Sequence, residues 1–213
     1  MPEPTTYPLL QYFKDGGPVM WPLLLCSIAS LTVILYKAYQ FLMIRSSPEP
    51  LLERVEKCVQ TGAKEEAERT CDRFKGPVSA VLRAGLARTG QPKAAVEEAV
   101  EDVGRHEIVS LESFLPVLQT VGNIAPLLGF LGTVLGMIDA FFAVTRYGLG
   151  DPSTIANGVA EALITTAAGL MIAVPTFVFY NYFVTRVNGY SLQLERAAAH
   201  VVNLVAADRE RAA

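Results

Sequence analysis

Three long stretches of this chain carry no charged side chain: residues 16–36, 113–138 and 162–185, which hold 21, 26 and 24 residues. About 20 apolar residues in a helix cross the hydrocarbon of a bilayer. In lipid, backbone groups must be satisfied within the segment, so each stretch is predicted to be a transmembrane helix. Tyr147-Gly148-Leu149-Gly150-Asp151-Pro152-Ser153-Thr154 joins the last two. Asp151 is placed there as an N-cap and Pro152 as the first helical residue, so the second and third spans form a hairpin.

The long segment between the first and second spans has a different pattern. Leu51, Leu52, Val55 and Val59 make one amphipathic face that Gly62 ends. Residues 63–74 read as a highly charged second helix, and Gly76-Pro77 breaks the chain before a third over 78–87. From Pro92, the positions Ala95, Val96, Ala99, Val100 and Val103 keep a helical period towards Ile108 and Leu111, and this helix is expected to run on into the second span. After the third span, Leu192, Leu194, Ala198, Val201, Val202 and Val205 keep helical spacing, apolar enough to pack on another helix, which is expected in an assembly. The fold class expected is an all-α integral membrane protein with three transmembrane helices, a helical domain between the first two and a helical C-terminal tail. The predicted divisions are an N-terminal lead (1–15), a first span within 16–44, a cytoplasmic helical domain (45–112), a second span (113–145), a turn (146–154), a third span (155–185) and a C-terminal helix (186–213).

Charge sets the orientation. Arg45, Arg54, Lys57, Lys64, Arg69, Arg73, Lys75, Arg83, Arg88, Lys93 and Arg105 lie between the first two spans, and Arg186, Arg196, Arg209 and Arg211 follow the third. Only Lys14 and Arg146 fall on the other side. Positive residues stay inside, which predicts a cytoplasmic domain and C-terminus and a periplasmic N-terminus. The lead lacks a basic start and a small-residue cleavage site, so the first span is expected to be retained. Trp21 at one end of that span and Tyr36 and Tyr39 at the other suit an aromatic belt, and Lys37 is expected to snorkel towards the head groups.

Half of the residues are hydrophobic and the net charge is -3, which offers no nucleic-acid signal. Cys26, Cys58 and Cys71 lack metal-ligand spacing and are expected as free thiols. His106 and His200 both lie outside the spans, which argues against an intramembrane protease, and no phosphate-binding loop or zinc motif occurs. Glu97, Glu98, Glu101 and Asp102 read as a solvated face. Neither an enzyme nor a cofactor or metal site is expected.

The candidate chemistry lies in the hairpin. Gly122, Pro126, Gly129, Thr133, Gly136 and Ala140 fall on one stripe of the second span, and Val159, Ala162, Thr166, Gly169 and Ala173 on one stripe of the third. Such stripes suit close helix packing or the lining of a path, and by themselves leave both open. Glu161 lies about 14 Å along the third helix, below the interface, where an ionisable residue is by default a functional candidate. It is about 140° around that helix from Thr166 and shares a face with Asn157, Thr165 and Ala168, so a helix or subunit interface is one place for it. Asp139 reads as a marker of the outer membrane boundary, within reach of Arg146.

Gly129-Phe130-Leu131-Gly132-Thr133-Val134-Leu135-Gly136-Met137 resembles the second-span signature of the MotA/TolQ/ExbB proton-channel family. The run from Ile155 to Leu170, with Glu161 five residues before Thr166, then Ala173-Val174-Pro175 and Tyr180-Asn181, is similar to the third span of its TolQ/ExbB branch. Asp139 departs from the uncharged residue of that pattern. The resemblance implies that Thr133 and Thr166 are the two pore threonines and Glu161 the acidic pore position. It further implies a proton-conducting subunit of a bacterial inner-membrane motor driven by the proton-motive force. Such a subunit forms a homo-pentamer in the lipid bilayer around a TolR/ExbD-like single-span partner and also works with a TonB/TolA-like protein. The competing reading is a passive oligomeric scaffold that moves no ions. A secondary transporter is disfavoured because the span pattern does not repeat within the chain.

Overall fold

The computed structural model describes residues 8–44, 49–74, 76–147 and 152–212, and the elements in these stretches are all helices. In chain order they are α1 (Pro8–Asp15), α2 (Met20–Met43), α3 (Glu49–Gln60), α4 (Lys64–Arg73), α5 (Pro77–Leu86), α6 (Lys93–Glu112), α7 (Leu115–Tyr147) and α8 (Pro152–Ala212). Three stretches, within α2, α7 and α8, are long and apolar enough to cross a membrane. The expected cap at Asp151 lies outside the described residues, as does the side chain of Arg146 that was expected to reach Asp139. Pro152 opens α8 as expected.

The chain forms two compact units. One contains the described residues up to Leu35 with Phe114–Asn181; the other contains Tyr36–Ser113 with Tyr182 onwards.

In the first unit, α7 packs on α8 through their small residues. A methyl group added at Gly136 would come 2.7 Å from the Gly158 carbonyl oxygen and 2.9 Å from the Ala162 nitrogen. One added at Gly169 would come 2.6 Å from the Ala125 carbonyl oxygen. Gly129 faces the Thr166 and Gly169 backbones, and Gly122 lies under the ring of Phe177. The two stripes therefore face each other within one chain. The outer faces are bulky and apolar: Leu127 (67% exposed), Phe130 and Phe141 on α7, and Leu163, Met171 (72% exposed), Val174 and Val178 on α8. Apolar surface of that extent needs lipid or another protein against it. On α2, Leu24, Leu25, Ile28, Leu31 and Leu35 are likewise exposed, while Val19 and Leu23 pack with Ala125 and Ala173.

The second unit is a helical domain with its own core. Leu51, Val55 and Val59 of α3, Ala67 and Cys71 of α4, Val78, Val81, Leu82 and Leu86 of α5, and Val96 and Val100 of α6 are buried together with Leu194, Ala197, Val201, Val202 and Val205 of α8. Every third or fourth position is buried, the period of a helix with one apolar face. Gly85 gives room to Val201 and Val100. Phe41 stacks on Phe183 and Tyr190, with ring centroids 5.6 and 5.8 Å apart. Within this one chain the tail already packs on other helices, as a continuation of the third span, since α8 is unbroken from Pro152 to Ala212.

Two expectations are corrected. The helix from Pro92 does not run on into the second span: α6 ends at Glu112 and α7 begins at Leu115, with Phe114 in the left-handed region at φ 63. Lys37 does not snorkel. Its side chain is 0% exposed, and its ammonium donates to the Leu111 carbonyl at 2.9 Å, to Gln40 Oε1 at 2.8 Å and to Ser113 Oγ at 3.4 Å. The last carbonyls of a helix lack intrahelical donors, and at the end of α6 Lys37 supplies one. Snorkelling is what the span around Lys37 predicts by itself; the open carbonyl that accepts from its ammonium comes from far along the chain, where no local pattern shows it.

Cys26, Cys58 and Cys71 are free thiols. Burial, followed by the neighbouring Asp72 carboxylate, pushes the Cys71 thiol up from its usual 9.0 to about 11.

Three tests follow from this packing. Gly136→Ala is expected to lower the heat stability of the solubilised protein by about 1–3 kcal/mol, whereas Gly189→Ala, with nothing within 4 Å, serves as the neutral control; equal losses would contradict the packing. Lys37→Met keeps the volume but strips the Leu111 carbonyl of its donor, at a cost of roughly 1.5–3 kcal/mol in denaturant titrations. Between about pH 9 and pH 11 the unfolded Cys71 thiol has ionised while the folded one holds its proton, so stability falls as pH rises through that window. Melting curves of Cys71→Ala against pH should lack that slope.

Candidate functional site

Thr133 and Thr166 meet at the point where α7 and α8 approach closely. Small residues leave room for it: Gly129 sits one turn before Thr133, and Ala162 one turn before Thr166. The two hydroxyls hydrogen-bond to each other across the helix pair. Each also reaches the same two carbonyls. Thr133 Oγ1 lies 3.3 Å from the carbonyl oxygens of Gly129 and Ala162, and Thr166 Oγ1 lies 3.1 and 3.2 Å from them. Both threonines are half-buried.

This is a four-oxygen cluster with two hydroxyl protons. One proton is held between the hydroxyls, whichever oxygen donates, and the other points to a carbonyl. Rotation about the Cβ–Oγ bonds reverses the donor order without moving a heavy atom, because each carbonyl is within reach of either hydroxyl. A pair of this kind can accept a proton on one side and release one on the other.

Thr165 was grouped with Glu161 in the sequence reading, but its side chain is buried on α7, against Gly132. Its hydroxyl donates within α8, with the Ala162 carbonyl at 3.0 Å and the Glu161 carbonyl at 3.1 Å. The signal was available in Gly132, which belongs to the glycine-rich run of the second span but falls just outside the stripe drawn through Thr133.

Glu161 does not join the threonine pair. It is half-buried, and its carboxylate lies against Gly17, in the turn between α1 and α2. The helix-interface placement offered by the sequence describes this, although the element it meets was not legible there. Asp139 is exposed on α7, next to Ala140, whose methyl group packs on Gly158. Among the described residues no three His, Cys, Asp or Glu side chains gather into a metal-binding group.

Comparison with known proteins gives the family. The chain matches the model of the MotA/TolQ/ExbB proton channel family over residues 73–196. It is 30% identical over 181 residues to a putative biopolymer transport protein ExbB homolog of Methanothermobacter thermautotrophicus, covering 84% of this chain and 64% of that one. It is 37% identical over 113 residues to the biopolymer transport protein ExbB of Pseudomonas putida, covering 53% of this chain and 33% of the relative. With the Tol-Pal system protein TolQ of Haemophilus influenzae the identity is 44% over 82 residues, 38% of this chain and 36% of the relative. The chain thus spans less than two thirds of each of these relatives. The family match covers α5, α6, α7 and most of α8, including the threonine pair and Glu161, and on that ground the chain belongs to the MotA/TolQ/ExbB proton channel family, in its TolQ/ExbB branch.

Proposed function

We propose that this protein is the proton-conducting subunit of a motor complex in the bacterial inner membrane, driven by the proton-motive force and energising an envelope process with a TolR/ExbD-like single-span partner. The observation that carries the reading is the Thr133–Thr166 hydroxyl pair, half-buried between α7 and α8. Three spans cannot enclose a path alone, so several copies, a pentamer by analogy with the family, surround the partner's helix. The N-terminus is periplasmic and the C-terminus cytoplasmic, as the Lys and Arg distribution supports. A TonB/TolA-like protein would take up the motion.

Each proton moving inward releases ~2.3 kcal/mol per 100 mV. An acidic side chain on the partner's span carries the proton past the threonine pair. Protonation removes the charge that held the span in place, and the span then moves relative to the ring of hydroxyls. Thr133 and Thr166 donate to and accept from the passing group, while Glu161 relays or tunes the proton on its side of α8.

A second reading, the passive scaffold, is favoured by one finding. The glycine and alanine stripes are taken up by packing inside a single chain and are not left over to line a pore. Proton uptake into liposomes holding the complex with its co-purified partner separates the two. Thr166→Ala and Glu161→Gln are each expected to slow uptake by about tenfold or more, ~1.4 kcal/mol on the barrier, with the assembly's native mass unchanged. Wild-type uptake in both variants would leave the scaffold as the reading.

A further inference from the structure

The turn between α1 and α2 is built on two glycines. The Gly16 amide donates to the Tyr12 carbonyl at 3.0 Å and closes α1, and the Gly17 carbonyl accepts from the Met20 amide at 3.2 Å and opens α2. Gly17 has φ +66, a left-handed conformation that favours glycine. A second observation at the same residue is independent of the turn. A methyl group on Gly17 would overlap a carboxylate oxygen of Glu161, with the carboxylate carbon at 2.7 Å and Cγ at 3.5 Å. One turn along α8, Ile164 lies against Gly16 in the same way, its Cγ2 3.1 Å from where a methyl would be. The start of α2 is seated by Val19 and Leu23, packed with Ala125 and Ala173 and against Ala168 and Ile172. The carboxylate of Glu161 therefore extends over bare backbone, in a slot that exists because position 17 has no side chain.

We propose that Gly17 is a positioning residue for Glu161. It leaves the room in which the carboxylate lies on the α2 side of α8, and ties the place of that carboxylate to the start of the first span. A shift of α2 at this end then moves the acidic group, and a change in the group's charge bears on α2. This rests on the reading of Glu161 as part of the proton path.

The test uses the full complex in liposomes and compares Gly17→Ala, Glu161→Asp and the double variant. Two readouts are needed: proton uptake, and the carboxyl band of residue 161, isolated by infrared difference against Glu161→Gln. Gly17→Ala is expected to shift that band and to slow uptake about tenfold in an assembly of unchanged mass. Aspartate is one methylene shorter and withdraws from the added methyl. The backbone strain at position 17 is the same in Gly17→Ala and in the double variant, so the double is expected to lose less than the product of the two single losses. An unmoved band, or losses that simply multiply, overturns the proposal. If Gly17→Ala does not assemble, the added Glu161→Asp must restore assembly, and failure to do so also overturns it. Wild-type uptake by Glu161→Gln would instead sink the reading on which the proposal rests, and a silent Gly17→Ala beside a defective Glu161→Gln would sink the proposal alone.

Discussion

The close approach of α7 and α8 is the constraint from which the membrane part of this protein follows. Between two helices in lipid there is little hydrophobic gain, so contact and hydrogen bonding have to hold them. Gly129, Gly136, Gly158 and Gly169 let backbone meet backbone, at distances that a single methyl group would violate. Only at such a separation can two short threonine side chains reach each other and the carbonyls across the gap. The packing surface and the polar cluster are one feature: the glycines make the approach, and the hydroxyls use it. That explains why the stripes admitted two readings. They serve helix packing directly, and through packing they create the only arrangement in which the threonines act as a pair.

The third span holds its two candidate groups on different sides. Thr166 faces α7, and Glu161 faces the turn that leads into α2. An i, i+5 spacing on a helix separates side chains by about 140°, so one helix presents hydroxyl chemistry to one neighbour and acid chemistry to another. A proton route through this protein that uses both must pass around α8 or involve a group that visits both faces. The two positions read as one motif along the chain; in space they are two environments.

Other forces hold the second unit. Its core is made by burial of valine and leucine from α3, α4, α5, α6 and the tail of α8. Among the described residues one cation is fully enclosed. Lys37 has its three donors directed at Gln40, Leu111 and Ser113, so the cost of burying its charge is offset by charge-assisted hydrogen bonds, one of them to a helix-end carbonyl. The break it secures, at Ser113 and Phe114, marks the boundary between the two units along the chain. A continuous helix would have needed no such donor.

The sequence alone determined the family and most of the helices, though not the break at Ser113 and Phe114. Span lengths, the turns at Gly62 and Gly76-Pro77, and the apolar period of α3 to α6 depend on local patterning, and local patterning survives in one dimension. The candidate threonines and Glu161 were legible for the same reason, through their spacing within two runs. What faces what was decided only in three dimensions. The pairing of Thr133 with Thr166, the seat of Glu161 on Gly17 and the burial of Lys37 against Leu111 join residues 33, 144 and 74 positions apart. No periodicity within a helix encodes such distances; they follow from which faces the packed helices turn to one another.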